Sequence, residues 1–208
     1  MSRPGGVDVE SKDHGCLARL GLGEAAERTG LEKVEERKAS KLEGVIDGIP
    51  VAVHIHNTGG ESSVTTTRFE ALLGGWPEEA GLSVWARPSR LRHRRPFRSR
   101  FVWFDDPAWD RSFAVKADRP DTVLIQFGTQ RRATFREFVD KVKESIDFPI
   151  NEAYSLTTGQ VKTQRSPQHL YRIENGLLFT GFGGVVAFPD LIVSVVEDLV
   201  ALAGELTR

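Results

Sequence analysis

At 208 residues, 39 % hydrophobic and 27 % charged, the chain has the composition of a globular protein able to enclose a sizeable core. Its 28 basic and 29 acidic side chains leave a formal charge of −1, which excludes a basic footprint over the whole molecule and confines any nucleic-acid surface to a local patch. Cys16 is the only cysteine, so an intrachain disulfide and a cysteine-based zinc site are excluded, and with a polar N-terminus that lacks a secretory apolar core it predicts a cytoplasmic protein.

Residues 1–41 read as a polar N-terminal extension carrying a helical segment. Its first fifteen residues or so are polar and glycine-rich, and Cys16, Leu17, Leu20 and Leu22 form a short apolar patch. From 24 to 41 the charges Glu32, Lys33, Glu36 and Arg37 suit a solvated helix with intrahelical pairs. A single α+β domain is expected over 42–208. It opens with a hairpin, 42–46 and 49–55, around Asp47-Gly48, a pair that accepts the positive φ of a tight turn. In the second strand Val51, Val53 and Ile55 share one face, and His54 and His56 the other.

Further strands are expected at 63–73, 82–86, 100–104 and 112–117, with Phe113 and Val115 facing opposite to Lys116. The period then changes. Phe135, Phe138, Val139, Val142 and Ile146 are spaced at three and four, with Thr134 and Glu137 as a capping box, and predict a helix that ends before Pro149. A second strand section follows at 150–156, 161–164, 170–174 and 177–182, with Asn175-Gly176 as its strongest turn.

Residues 189–206 predict a helix with Pro189 in its first turn and a wide apolar face led by Leu191, Val195, Leu199 and Leu202. The apolar run 176–196 approaches membrane-spanning length, but Gly181, Gly183, Gly184, Pro189 and Asp190 interrupt it, so a buried strand and helix are expected and no membrane association. The expected fold is a mixed, mainly antiparallel sheet with two principal helices packed on it. The order strands, helix, strands, helix suggests two loosely similar halves.

Three segments carry a resemblance to a family: 42–53, Gly81-Leu-Ser-Val-Trp85, and Asp106-Pro-Ala-Trp-Asp-Arg-Ser-Phe-Ala-Val115. Together, over residues 40–145, they resemble an uncharacterised bacterial family with a strand, glycine turn and strand followed by Asp-Pro-x-Phe-Asp-x-x-Phe-x-Val. Trp109 stands where that pattern has phenylalanine. The resemblance implies an α+β fold and supplies no function; Asp106, Pro107, Asp110 and Phe113 fit it as turn and core residues.

The most unusual segment is 87–100, where Arg87, Arg90, Arg92, Arg94, Arg95, Arg98 and Arg100 occur with His93 and without an acidic residue. Guanidinium forks match phosphate oxygens, and Trp85 and Phe97 could stack on bases, so Arg90, Arg92, Arg94, Arg95 and Arg98 are candidate phosphate or nucleic-acid ligands. An exposed loop pairing with the protein's own carboxylates is the alternative. Asp105, Asp106 and Asp110 form an acidic cluster that could hold a hard cation or act as an acid–base pair, or equally cap a turn.

His54 and His56 lack an identifiable third ligand, no metal or cofactor is implied, and the glycine pairs lack the context of a phosphate loop. The sequence therefore predicts a non-enzymatic binding or regulatory domain with a protein partner, contacted through loops or a sheet edge. A nucleic-acid or phosphate binder using 87–100 is the alternative, and an enzyme using the aspartates is the second.

Overall fold

The structure, a computed structural model, describes residues 21–36, 39–57, 65–86, 101–137, 171–183, 186 and 188–208. A helix α1 over 21–29 leads into β1 (Glu32–Glu36), β2 (Ala39–Ile46), β3 (Ile49–Asn57), β4 (Thr65–Leu72), β5 (Leu82–Ala86) and β6 (Phe101–Val102). Then come α2 (Pro107–Ser112), β7 (Phe113–Ala117), α3 (Pro120–Gln126), α4 (129–137 as far as it is described), β8 (Tyr171–Glu174), β9 (Leu177–Gly183) and α5 (Pro189–Thr207). The fold is α+β. The nine strands among the described residues form one sheet in the order β1-β2-β3-β4-β9-β8-β5-β7-β6, and each pairing is antiparallel.

Alternation of side chains gives this sheet two unlike faces. On the inner face one row of paired residues runs Val51, Ala71, Leu178, Ile173, Leu82 and Ala117 across six strands. All six are buried. The next inner row, Leu42, Val53, Phe69 and Thr180, is equally buried. The helices cover this face. α5 lies on β3, β4 and β9 and buries Leu191, Ile192, Val195, Val196, Leu199 and Leu202. At the other end Trp109 of α2 stacks with Phe113, Phe127 and Phe135 at centroid distances of 4.6, 5.5 and 5.9 Å, and Phe135 meets Tyr171 at 5.1 Å. Burial raises the Tyr171 phenol well above its ordinary value.

Several boundaries depart from the sequence expectation. The charged stretch 24–41 is not one helix: α1 stops at Gly30, whose φ of +72° is open to glycine and whose amide donates to Ala26 O. β1 follows as an edge strand, its charges alternating along an extended chain instead of pairing along a helix. From residue 21 on, the expected extension 1–41 is part of the sheet and core, with Leu22, Ala25 and Leu31 buried and β2 running through the 41/42 junction.

Two short helices were unforeseen. α2 and α3 each begin with proline, Pro107 and Pro120, at a first-turn position where no amide donor is needed. Helix α4 is already formed at 129, so Thr134 lies inside it and donates to Gln130 O at 3.3 Å, not to a capped amide. Phe138, Val139, Val142 and Ile146, and the strands expected at 150–156 and 161–164, lie outside the described residues. The run 176–196 divides into β9 and α5, and among the described residues no helix is long and apolar enough to cross a membrane.

The turn between β8 and β9 carries positive φ at both centres, 52° at Asn175 and 73° at Gly176. Substituting Gly176→Ala forces a Cβ into that conformation, and we expect a loss of about 1–2 kcal/mol in chemical denaturation. An unchanged midpoint would contradict the turn.

Candidate functional site

The aspartate cluster is the first site to test, because the structure describes all three residues. Asp105 is exposed and takes a φ of 54°. Asp106 caps α2: its Oδ1 accepts the amides of Ala108 and Trp109, both at 3.1 Å. Asp110 is buried, and its two oxygens are divided between backbone donors, Oδ1 accepting from Phe104 at 3.3 Å and Oδ2 from Asp106 at 3.1 Å. A carboxylate used this way holds the loop 104–106 against α2. Two of the three aspartates are thus tied to the backbone, and the pair is built as a loop clamp.

Arg132 of α4 completes the clamp and gives no local sign of this in the sequence. Its Nη1 donates to Phe127 O at 2.9 Å, its Nη2 lies 3.7 Å from Asp106 Oδ2, and its guanidinium sits 4.5 Å from the centre of the Phe104 ring. A cleft of about 330 Å³ opens beside it, lined by Asp106, Trp109, Thr129, Arg132, Arg136 and Glu137, among others. Among the described residues Arg132 Nε and Trp109 Nε1 have no hydrogen-bond partner, but both atoms are enclosed, so a molecule in the cleft could not touch them. Opposed charges line the cleft, Asp106 and Glu137 with Arg132 and Arg136.

The other face of the sheet is different in kind. Among the described residues every helix packs on the inner side, and the outward residues from β2 to β6 are half-buried or exposed. One outward row runs Glu43, Ala52, Glu70, Phe179, Arg172, Ser83, Lys116 and Phe101. Its carboxylates are matched on the spot. Glu43 pairs with Lys41 and Glu70 Oε1 lies 2.6 Å from Arg68 Nε, while Arg172 lies 3.1 Å from Glu174, which stands opposite Leu177 in the neighbouring row. Arg68 also lies over the Phe179 ring at 3.8 Å.

His54, one of the two histidines on this face, has its Nε2 3.4 Å from Glu70 Oε2. The hydrogen bond from His54, aided by the charge of Arg68, holds the Glu70 carboxyl below the usual carboxylate range although partial burial opposes this. His54 therefore serves as a hydrogen-bond partner of Glu70. Among the described residues no group of three or more histidine, cysteine or acidic side chains is placed to hold a metal ion.

Beside this neutralised row lies an apolar one, which no single sequence segment reveals. Val45 is opposite Pro50 and Leu72 is opposite Leu177; the Val51–Ala71 pair places Pro50 and Leu72 side by side. Val45 is 66 % exposed and Leu72 43 %, high values for aliphatic side chains in one row of a sheet, with Pro50 between them. The candidate arginines Arg90, Arg92, Arg94, Arg95 and Arg98 lie outside the described residues, as does the whole segment 87–100. Comparison with protein-family models, with curated proteins and with solved structures finds no match for the chain.

The two roles assigned to the aspartates separate under amide substitution. Asp110→Asn replaces one acceptor by a donor facing a backbone amide, and we expect a loss of about 1–3 kcal/mol by denaturant titration. Asp106→Asn keeps a good helix cap and should cost only a few tenths of a kcal/mol. Equal effects of the two substitutions would contradict this division of labour.

Proposed function

We propose that the chain is a non-enzymatic binding domain whose protein partner docks on the outer face of the sheet. The observation that carries this reading is the apolar row Val45, Pro50, Leu72 and Leu177 beside a row whose carboxylates are already paired. Such a surface has the make-up of a protein interface, apolar at its centre with a polar rim. Among the described residues it carries no strong excess of positive charge to attract a polyanion, since Arg68 and Arg172 stand beside Glu70 and Glu174. The aspartates favour the same class, because Asp106 and Asp110 support the backbone. The lone cysteine supports a cytoplasmic setting.

Affinity capture from the native host after nuclease treatment tests the proposal. The expected result is a polypeptide, of this or another sequence, retained at low and physiological salt and lost when Leu72→Glu is the bait. Ile125→Glu, on the exposed side of α3 where Ile125 is 79 % accessible, should leave capture intact. A nucleic acid whose retention falls steeply with salt, or a partner indifferent to Leu72→Glu, would overturn it.

A further inference from the structure

We infer that the partner on the outer face is a second copy of this chain, related by a two-fold axis lying between the two faces and running along β4. The inference rests on the docking reading above and adds the identity of the occupant.

What points to it is the order of side chains on either side of β4. Towards β2 the outward row carries a small residue and then an acid, Ala52 and Glu43. Towards β8 it carries a large residue and then a base, Phe179 and Arg172. A two-fold along β4 reverses the strand order and keeps the level along the strands, so β2 faces β8 and β3 faces β9. Glu43 of one copy, beside its own Lys41, then stands over Arg172 of the other, beside its own Glu174, and the small Ala52 stands over the stack of Arg68 on Phe179. In the apolar row Leu177 meets Pro50, and the two Leu72 side chains meet at the axis. Charge and size are therefore complementary in the same operation, twice over by symmetry.

The Arg68–Glu70 pairs also meet at the axis. There Glu70 approaches Glu70 and Arg68 approaches Arg68, and the pairing within each copy offsets that like-charge approach. Val45 falls at the rim, near Glu174, which Arg172 already holds. Face-to-face packing of sheets at about 10 Å, with strands nearly aligned, allows such contacts. Five strands at a spacing of about 4.8 Å give a patch roughly 20 Å wide, which is a small interface and implies a concentration-dependent dimer.

Light scattering and sedimentation of the full chain over a range from sub-micromolar to tens of micromolar read the result. The expected finding is a reversible dimer that Leu72→Glu reduces to monomer. Glu43→Arg and Arg172→Glu should each weaken it by about tenfold or more. An equimolar mixture of these two variants should recover the wild-type affinity, because arginine at 43 then faces glutamate at 172 while the unaltered pair remains. A fold defect confined to one chain cannot be repaired by mixing. A mixture no tighter than either variant alone would overturn the dimer. A wild type that stays monomeric, yet loses another captured polypeptide on Leu72→Glu, would overturn the dimer and keep the docking face. A dimer indifferent to Leu72→Glu would overturn both.

Discussion

The C-terminal hairpin of β8 and β9 enters between β4 and β5, strands that follow each other in sequence, and the whole sheet depends on that insertion. β9 pairs with β4 from Thr66 and Gly183 to Leu72 and Leu177, and β8 pairs with β5 from Leu82 and Ile173 to Val84 and Tyr171. Without the hairpin the meander β1–β4 and the trio β5, β7 and β6 would be separate sheets with two further open edges. The connection from β4 to β5 must therefore span the width of two intervening strands. It does so around the hairpin's turn: Leu73 donates to Gly176 O at 2.7 Å, and Trp76 Nε1 donates to Ala80 O. Pairings so distant in sequence form only after a large loop closes, which makes the insertion the step expected to limit folding.

The insertion also decides which side chains face outward. A slip of one residue in β9 would turn Leu178 and Thr180 out of the core and drive Leu177 and Phe179 into it. The buried row from Val51 to Ala117 fixes the register, because Leu178 and Ile173 fill it between Ala71 and Leu82. The outer rows follow from that. Leu177 comes beside Leu72, and Phe179 comes under Arg68, only because the inner face is satisfied by their neighbours. The proposed docking surface is thus the reverse side of the core's register.

What the sequence discloses is largely local. Asp47-Gly48 and Asn175-Gly176 mark two of the hairpins by residues that tolerate positive φ, and the apolar stripe after Pro189 marks α5. Glu32 to Glu36 is misleading because the same charges fit helical pairs and a charged edge strand, and Gly30 is the residue that decides. Pro107 reads as a turn residue, whereas it and Pro120 each start a short helix. Strand order carries no local signal at all. The site divides in the same way. Asp106 and Asp110 are visible as a cluster and as possible turn acceptors, whereas Arg132 becomes their neighbour only through α4. Val45, Leu72 and Leu177 look like ordinary strand residues until three remote segments bring them together.

The central claim is that one side of this sheet is built as a core and the other as a surface presented to a partner. Carbene footprinting of dilute protein, read residue by residue, measures that asymmetry directly. The account predicts strong labelling of Val45 and Leu72 and weaker labelling of Leu177, with Phe69 and Leu178 on the same two strands, β4 and β9, left unlabelled. Protection of Val45 and Leu72 at concentrations too low for association would show that the chain covers this face itself, and would contradict the account.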